Sequence, residues 1–275
     1  MRGSSPVGRT LLLVAVALYT ALAGGPVLWL GVMSLRTTSE ISADPYALPV
    51  PAHWEKYVQA WTTSSYGTYF WNSAVTVLAA VGLVTAVGAM AAHCLARYRF
   101  RGNRIVYFGL FSAIVFPPQL TIISLFQVLV EYHLFNTRIG LALVYAAIQL
   151  PLTFYILEGF FARIPQDFFD AARIDGCSDY GIFWRLTVPI GLPAIATTVV
   201  LNLIELWNEF LYAVVLLTED EKRTLPLGIM TFMGDQLQDI GMIATGMTIS
   251  ILPIIGLYVF FSERLIRGMT ASVLK

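Results

Sequence analysis

Six stretches of this chain run 22 to 28 residues with few or no charges: 11–33, 70–95, 105–126, 139–162, 190–217 and 240–262. An α-helix rises 1.5 Å per residue, so about 20 apolar residues cover the roughly 30 Å hydrocarbon thickness of a bilayer. The expected fold is all-α: one polytopic membrane domain over 1–275 with six transmembrane helices. Composition agrees, with 57% hydrophobic and 12% charged residues against about 25% charged in soluble domains. A soluble enzyme, a disordered chain and a disulfide scaffold are excluded. Arg2 and Arg9 before the first run, then Ala21-Leu22-Ala23, imitate a cleavable signal. The run continues through Pro26 to Met33, too far for a signal core, and reads as an uncleaved span.

Lys and Arg concentrate on the cytoplasmic side of membrane proteins. One side carries twelve: Arg2, Arg9, the four arginines of 96–104, Arg163, Arg173, Arg185, Arg264, Arg267 and Lys275. The other carries five: Arg36, Lys56, Arg138, Lys222 and Arg223. Both termini are therefore expected in the cytoplasm, with the protein in a cell membrane of bacterial or archaeal type. Net charge is zero, so no overall field draws nucleic acid. Cys94 and Cys177 cannot build a disulfide framework, and His53, His93 and His133 lack metal-ligand spacing. A Gly-Lys-Ser/Thr phosphate loop is absent. No cofactor is expected on this chain, and any ATP and Mg belong to another subunit.

The first external loop, 36–69, holds Pro45, Pro49 and Pro51 and then Trp54, Tyr57 and Trp61, which predicts a short helix with aromatic anchors at the outer interface. The cytoplasmic loop 163–189 is more informative. Pro165 suits a first helical turn and Asp167 its positive end. Phe168, Ala171 and Ala172 predict a narrow apolar face, and Gly176 a left-handed stop. A second short helix through Ile182, Phe183 and Leu186 would end at Pro189. The result is a helix–turn–helix knob. On these residues alone the loop is equally a linker lying on the membrane surface.

Asp170-Ala171-Ala172, Gly176, Leu186 and Val188-Pro189 fall at the spacing of the cytoplasmic motif of binding-protein-dependent ABC importer permeases. Asp stands for Glu, Leu for Ile and Val for Leu. Ala-Ala-Arg-Ile-Asp-Gly (171–176) resembles the carbohydrate branch, in particular the second permease of the maltose, trehalose and multiple-sugar type. Leu95 to Gly102, Phe116-Pro117-Pro118-Gln119, Asn136 to Leu141, Trp207-Asn208-Glu209-Phe210, Thr224 to Gly228 and Gly268 to Ala271 follow the same order. The resemblance implies a non-catalytic subunit paired with a related permease, two cytoplasmic ATPase subunits and an external sugar-binding protein. It assigns ATPase coupling to Asp170, Ala171, Ala172, Arg173, Asp175, Gly176, Arg185 and Pro189.

Polar groups inside spans are costly and are functional candidates by default. In the fifth run Asn202, Glu205 and Glu209 fall at i, i+3 and i+7, one face of a continuous helix, with Trp207 and Asn208 beside them. With Gln119 beyond the Pro117-Pro118 break, these are the substrate-pathway candidates; pairing with the partner permease or holding the gate shut is the other reading. Glu158 and His93 read as interfacial. A rival from another class is an ion-coupled carrier using Glu158, Glu205 and Glu209 as a relay. Such carriers usually contain internal repeats, and none is visible here.

Overall fold

The computed structural model describes residues 6–62, 64–233 and 239–270, and every element of regular structure among them is helical. Arg2, Ala271 and Lys275 of the sequence reading lie outside the described residues. The helices are α1 (Pro6–Ser34), α2 (Thr38–Ala43), α3 (Glu55–Thr62), α4 (Tyr66–Arg97), α5 (Asn103–Val115), α6 (Ile122–Glu131) and α7 (Arg138–Phe161). They continue as α8 (Gln166–Ile174), α9 (Asp179–Ile182), α10 (Val188–Trp207), α11 (Leu211–Leu216), α12 (Leu225–Gly228) and α13 (Ile240–Thr270). Five are long and apolar enough to cross a membrane, and α5 with the 118–131 segment makes a sixth if that bent pair is one span.

Three expectations need correction. The run 105–126 is not one straight helix: α5 stops at Val115, and the chain resumes at Pro118 after a 101° bend. Pro117 and Pro118 have no amide hydrogen to continue the ladder. The run 190–217 also breaks, because α10 ends at Trp207. Asn208 Nδ2 donates to the Ile204 carbonyl at 2.7 Å, the acceptor its own backbone amide would otherwise use. Finally, the second arm of the knob does not end at Pro189. It runs from Asp179 into α10 as one 29-residue span. A proline at 189 presses on the carbonyl four residues back in a regular helix. A π turn over Phe183–Thr187 occupies that stretch instead.

The chain forms two compact units. One holds α1 to α3 with residues 228–253. Within it Arg36 is buried and donates to the Glu40, Asp44 and Pro45 carbonyls, the first two at 2.7 and 2.6 Å. Lys56, also buried, donates to the Ser34 and Arg36 carbonyls. These bonds spend the donors of two buried cations on carbonyls where α1 passes into α2 and beyond. Gly241 lies so close that an added Cβ would stand 2.5 Å from the Arg36 oxygen. The predicted interfacial helix is α3, and Trp54 just before it is exposed.

The other unit, residues 68–227 with those from 254, has two apolar clusters. Val77, Leu129, Leu141, Tyr145, Leu206 and Leu216 form one. Phe154, Leu157, Phe161, Phe169, Ile182 and Phe183 form the other, which anchors the knob.

Candidate functional site

The knob is built by α8, a tight turn and α9. Pro165 is the N-cap of α8 rather than its first helical residue. Phe169 is the buried member of α8 at 2% exposure, with Ala172 half-buried three residues on. Phe168 and Ala171 are exposed, so the apolar face expected at 168, 171 and 172 points outward over most of its width. The inward face is one residue out of phase, since the burying contact is Phe169 against the α4, α7 and α9 cluster.

Gly176 has φ +79°, the left-handed conformation expected of it. Its amide donates to Arg173 O at 3.0 Å, and the Cys177 amide to Ala172 O at 2.9 Å. That is the double closure of a Schellman cap. Ser178 then caps α9 through the Gly181 amide. Asp170, Arg173, Asp175, Arg185 and Pro189 are all exposed. Arg173 meets Asp170 at 3.5 Å and Asp179 at 3.9 Å, pairs too solvated to hold the shape.

What holds the knob is the end of α4. Arg97 Nη2 donates to the carbonyls of Phe161 and Ile164, and its guanidinium carbon stands 3.9 Å from the Phe169 ring centroid. His93 is buried at 4% exposure and bonds Thr187 Oγ1 through Nδ1 at 3.0 Å, so it is not interfacial as expected. Tyr98 Oη donates to Asp179 at 2.8 Å. Burial, reinforced by that carboxylate, pushes the Tyr98 phenol up, keeping it a donor. Sequence reasoning missed Arg97 as a structural contact, because it reads only as one of four arginines in a basic loop.

The polar end of α10 divides differently from the expectation. Asn202 is buried and bonds Thr153 Oγ1 at 2.9 Å, joining α10 to α7. Glu209 lies past the helix end, so it does not share a helical face with Asn202 and Glu205. Its carboxylate accepts from Tyr145 Oη at 2.7 Å and from the Tyr212 and Ala213 amides, capping α11. Trp207 is buried edge-on against Phe70. Glu205 is exposed and accepts from Gln149 Nε2 at 2.6 Å. Asn208 and Gln119 are exposed too. Three candidates thus face outward from the chain, and three are engaged inside it.

Residues 84–270 match the family described as binding-protein-dependent transport system inner membrane component. The diacetylchitobiose uptake system permease protein NgcG of Streptomyces coelicolor is 36% identical over 250 residues, covering 90% of this chain and 83% of that protein. The trehalose transport system permease protein SugB of Mycobacterium tuberculosis is 31% identical over 252 residues, covering 91% and 92%. A chain of the crystal structure of a bacterial ABC transporter involved in the import of the acidic polysaccharide alginate superposes with a TM-score of 0.80. It covers 96% of this chain and 99% of its own at 23% identity, so the fold is shared. With a matching family over two-thirds of its length and two permease relatives above 30% identity, this multi-pass membrane chain belongs to the binding-protein-dependent transport system inner membrane components, the permeases of ABC transporters.

Proposed function

We propose that this chain is one permease subunit of an ABC importer that moves a sugar from an external binding protein into the cytoplasm. ATP and Mg are held and ATP is hydrolysed on two separate ATPase subunits, and a second related permease completes the pathway across the cell membrane. The observation that carries the reading is the knob of α8 and α9: capped at Gly176, gripped by Arg97 and continuous with α10. A knob that continues through the π turn into a span without leaving the helix transmits displacement, whereas a surface linker needs no such continuity. Both termini lie in the cytoplasm in this reading, consistent with the excess of arginine on the knob's side.

Phe168 and Ala171 form the outward docking face. Asp170, Arg173, Asp175 and Arg185 rim it, while Ala172, Gly176 and Pro189 fix its shape. Glu205, Asn208 and Gln119 line the sugar pathway; Asn202, Trp207 and Glu209 set its walls. The diacetylchitobiose and trehalose relatives support a sugar cargo. An ion-coupled relay finds less support, since Glu209 is already committed to Tyr145 and two amides. Uptake into proteoliposomes of the complex assembled with its ATPases separates the two. Vanadate should abolish it and a protonophore leave it intact; the reverse overturns the importer.

A further inference from the structure

Four arginines fall within eight residues where α4 passes to α5: Arg97, Arg99, Arg101 and Arg104. Arg97 is engaged with carbonyls and Phe169. The other three are exposed, and none of their side chains has an ion pair or hydrogen bond among the described residues. Arg99 and Arg104 line a cavity of about 850 Å³ together with Arg97, Asn103, Phe100 and Ile105, and no carboxylate is among its lining residues. The first turn of α5 at its rim has no acidic residue and no side-chain cap. Every charged residue in the lining is an arginine; the carboxylates behind it, Asp179 and Asp170, accept from the lining Tyr98 and Gln166 at 2.8 and 3.0 Å.

An excess of arginine on one side of a membrane protein explains their number. It does not explain convergence on one cavity with no carboxylate in its lining. Guanidinium forks match phosphate oxygens in a two-point geometry. The loop joins a 32-residue span to the bent pair, which puts it at a bilayer surface, the height of lipid phosphates. Phe100, Ile105 and Phe108 are exposed beside it, an apolar edge where acyl chains begin. A phospholipid joins the anionic group to the chains that would cover that edge.

We propose that this cavity binds the phosphodiester headgroup of an anionic phospholipid, with the acyl chains lying along Phe100, Ile105 and Phe108. The cavity adjoins the knob through Gln166, the first residue of α8, but uses neither Phe168 nor Ala171 of its outward face, nor any candidate of the sugar pathway, and headgroup binding there holds in either leaflet. The test is native mass spectrometry of the full chain, co-purified with its partner subunits, titrated with phosphatidylglycerol or phosphatidylcholine. Wild type should retain phosphatidylglycerol preferentially, and R99Q and R104Q should each lower that retention about five-fold, the effect of one basic residue at a lipid surface. R99K/R104K should keep most of it, and R9Q, the same charge change elsewhere, should leave it unchanged. Assembly with the partner subunits reports that each variant is folded. Equal retention of the two lipids by wild type, or unchanged preference in R99Q/R104Q, overturns the proposal. Displacement by glycerol phosphate at matched concentration would make the site one for a free phosphate and would equally overturn the lipid.

Discussion

Gly176 holds a backbone conformation that L side chains adopt at a cost of about 1–2 kcal/mol, more when β-branched. Gly176→Val should redirect α9 and uncouple ATP hydrolysis from uptake, while Gly176→Asn, which tolerates φ +79°, should not. Ala171 is exposed beside it on α8, so Ala171→Trp should release the ATPase on purification without unfolding the knob. Retained ATPase with full uptake in both Gly176→Val and Ala171→Trp would return the loop to a passive linker. Glu205 calls for a different measurement. Its carboxylate is exposed yet oriented by Gln149, so Glu205→Ala should lower sugar uptake about ten-fold, the worth of one charge-assisted hydrogen bond, with assembly intact. Wild-type uptake would remove it from the pathway. Gly176 was legible in the sequence because few residues accept its torsion. Glu205 and Glu209 were not separable, because a carboxylate near a span's end reads the same whether it faces a cavity or caps a helix.

At the scale of elements, the break after α10 makes Glu209 structural. Glu209→Ala removes the cap of α11, about 1 kcal/mol, and strands the Tyr145 hydroxyl, about 1–3 kcal/mol more. Thermal unfolding of the purified complex should shift down accordingly, and an unshifted transition would show that the cap contributes nothing. The α2–α3 segment carries a pH dependence. His53 bridges Glu55 at 2.7 Å and Glu40 at 3.1 Å. Its bonds to Glu55 and then Glu40 raise it above its ordinary 6.5. Glu40 is lowered from 4.5 first by the Thr37 amide and then by His53; Glu55 is lowered by its own backbone amide and then by His53, with Lys56 adding attraction. A raised base stabilises below its ordinary value and loses that as pH rises through the raised one. Lowered acids stabilise above 4.5 and lose it as pH falls through the lowered value. Protection of the α2 amides, exchange corrected for its intrinsic pH dependence, should therefore be greatest between about pH 4.5 and 6.5, and His53→Gln should flatten the upper limb; an unchanged profile refutes the bridge. The apolar runs announced the long helices, and Pro117-Pro118 announced a disturbance. Nothing announced the stop at Trp207, because it depends on one Asn208 side chain taking a carbonyl.

For the whole molecule, the charge count makes the sharpest commitment. Introduced cysteines at Lys222 and Arg101, in a background without Cys94 and Cys177, should label from opposite faces of intact vesicles, 222 from outside. Labelling from one face would refute the six-crossing topology. The same scale exposes how α4 is fixed. Asn72, near its start, donates to the Glu221 and Arg223 carbonyls and accepts from Arg138, and Arg97, at its end, donates to the Phe161 and Ile164 carbonyls. A single helix thus ties the knob to the 221–223 segment at the opposite end of the span. At the Arg97 end both acceptors are main-chain oxygens, present whatever side chains occupy 161 and 164. Substitution at 161 and 164 is restrained by packing alone, and neither position needs a compensating change for the arginine's hydrogen bonds. Methods that infer contacts from paired substitutions can pair position 97 with Phe169, on whose ring it stacks, but not with 161 or 164, so these two hydrogen bonds will be silent in covariation however large the family.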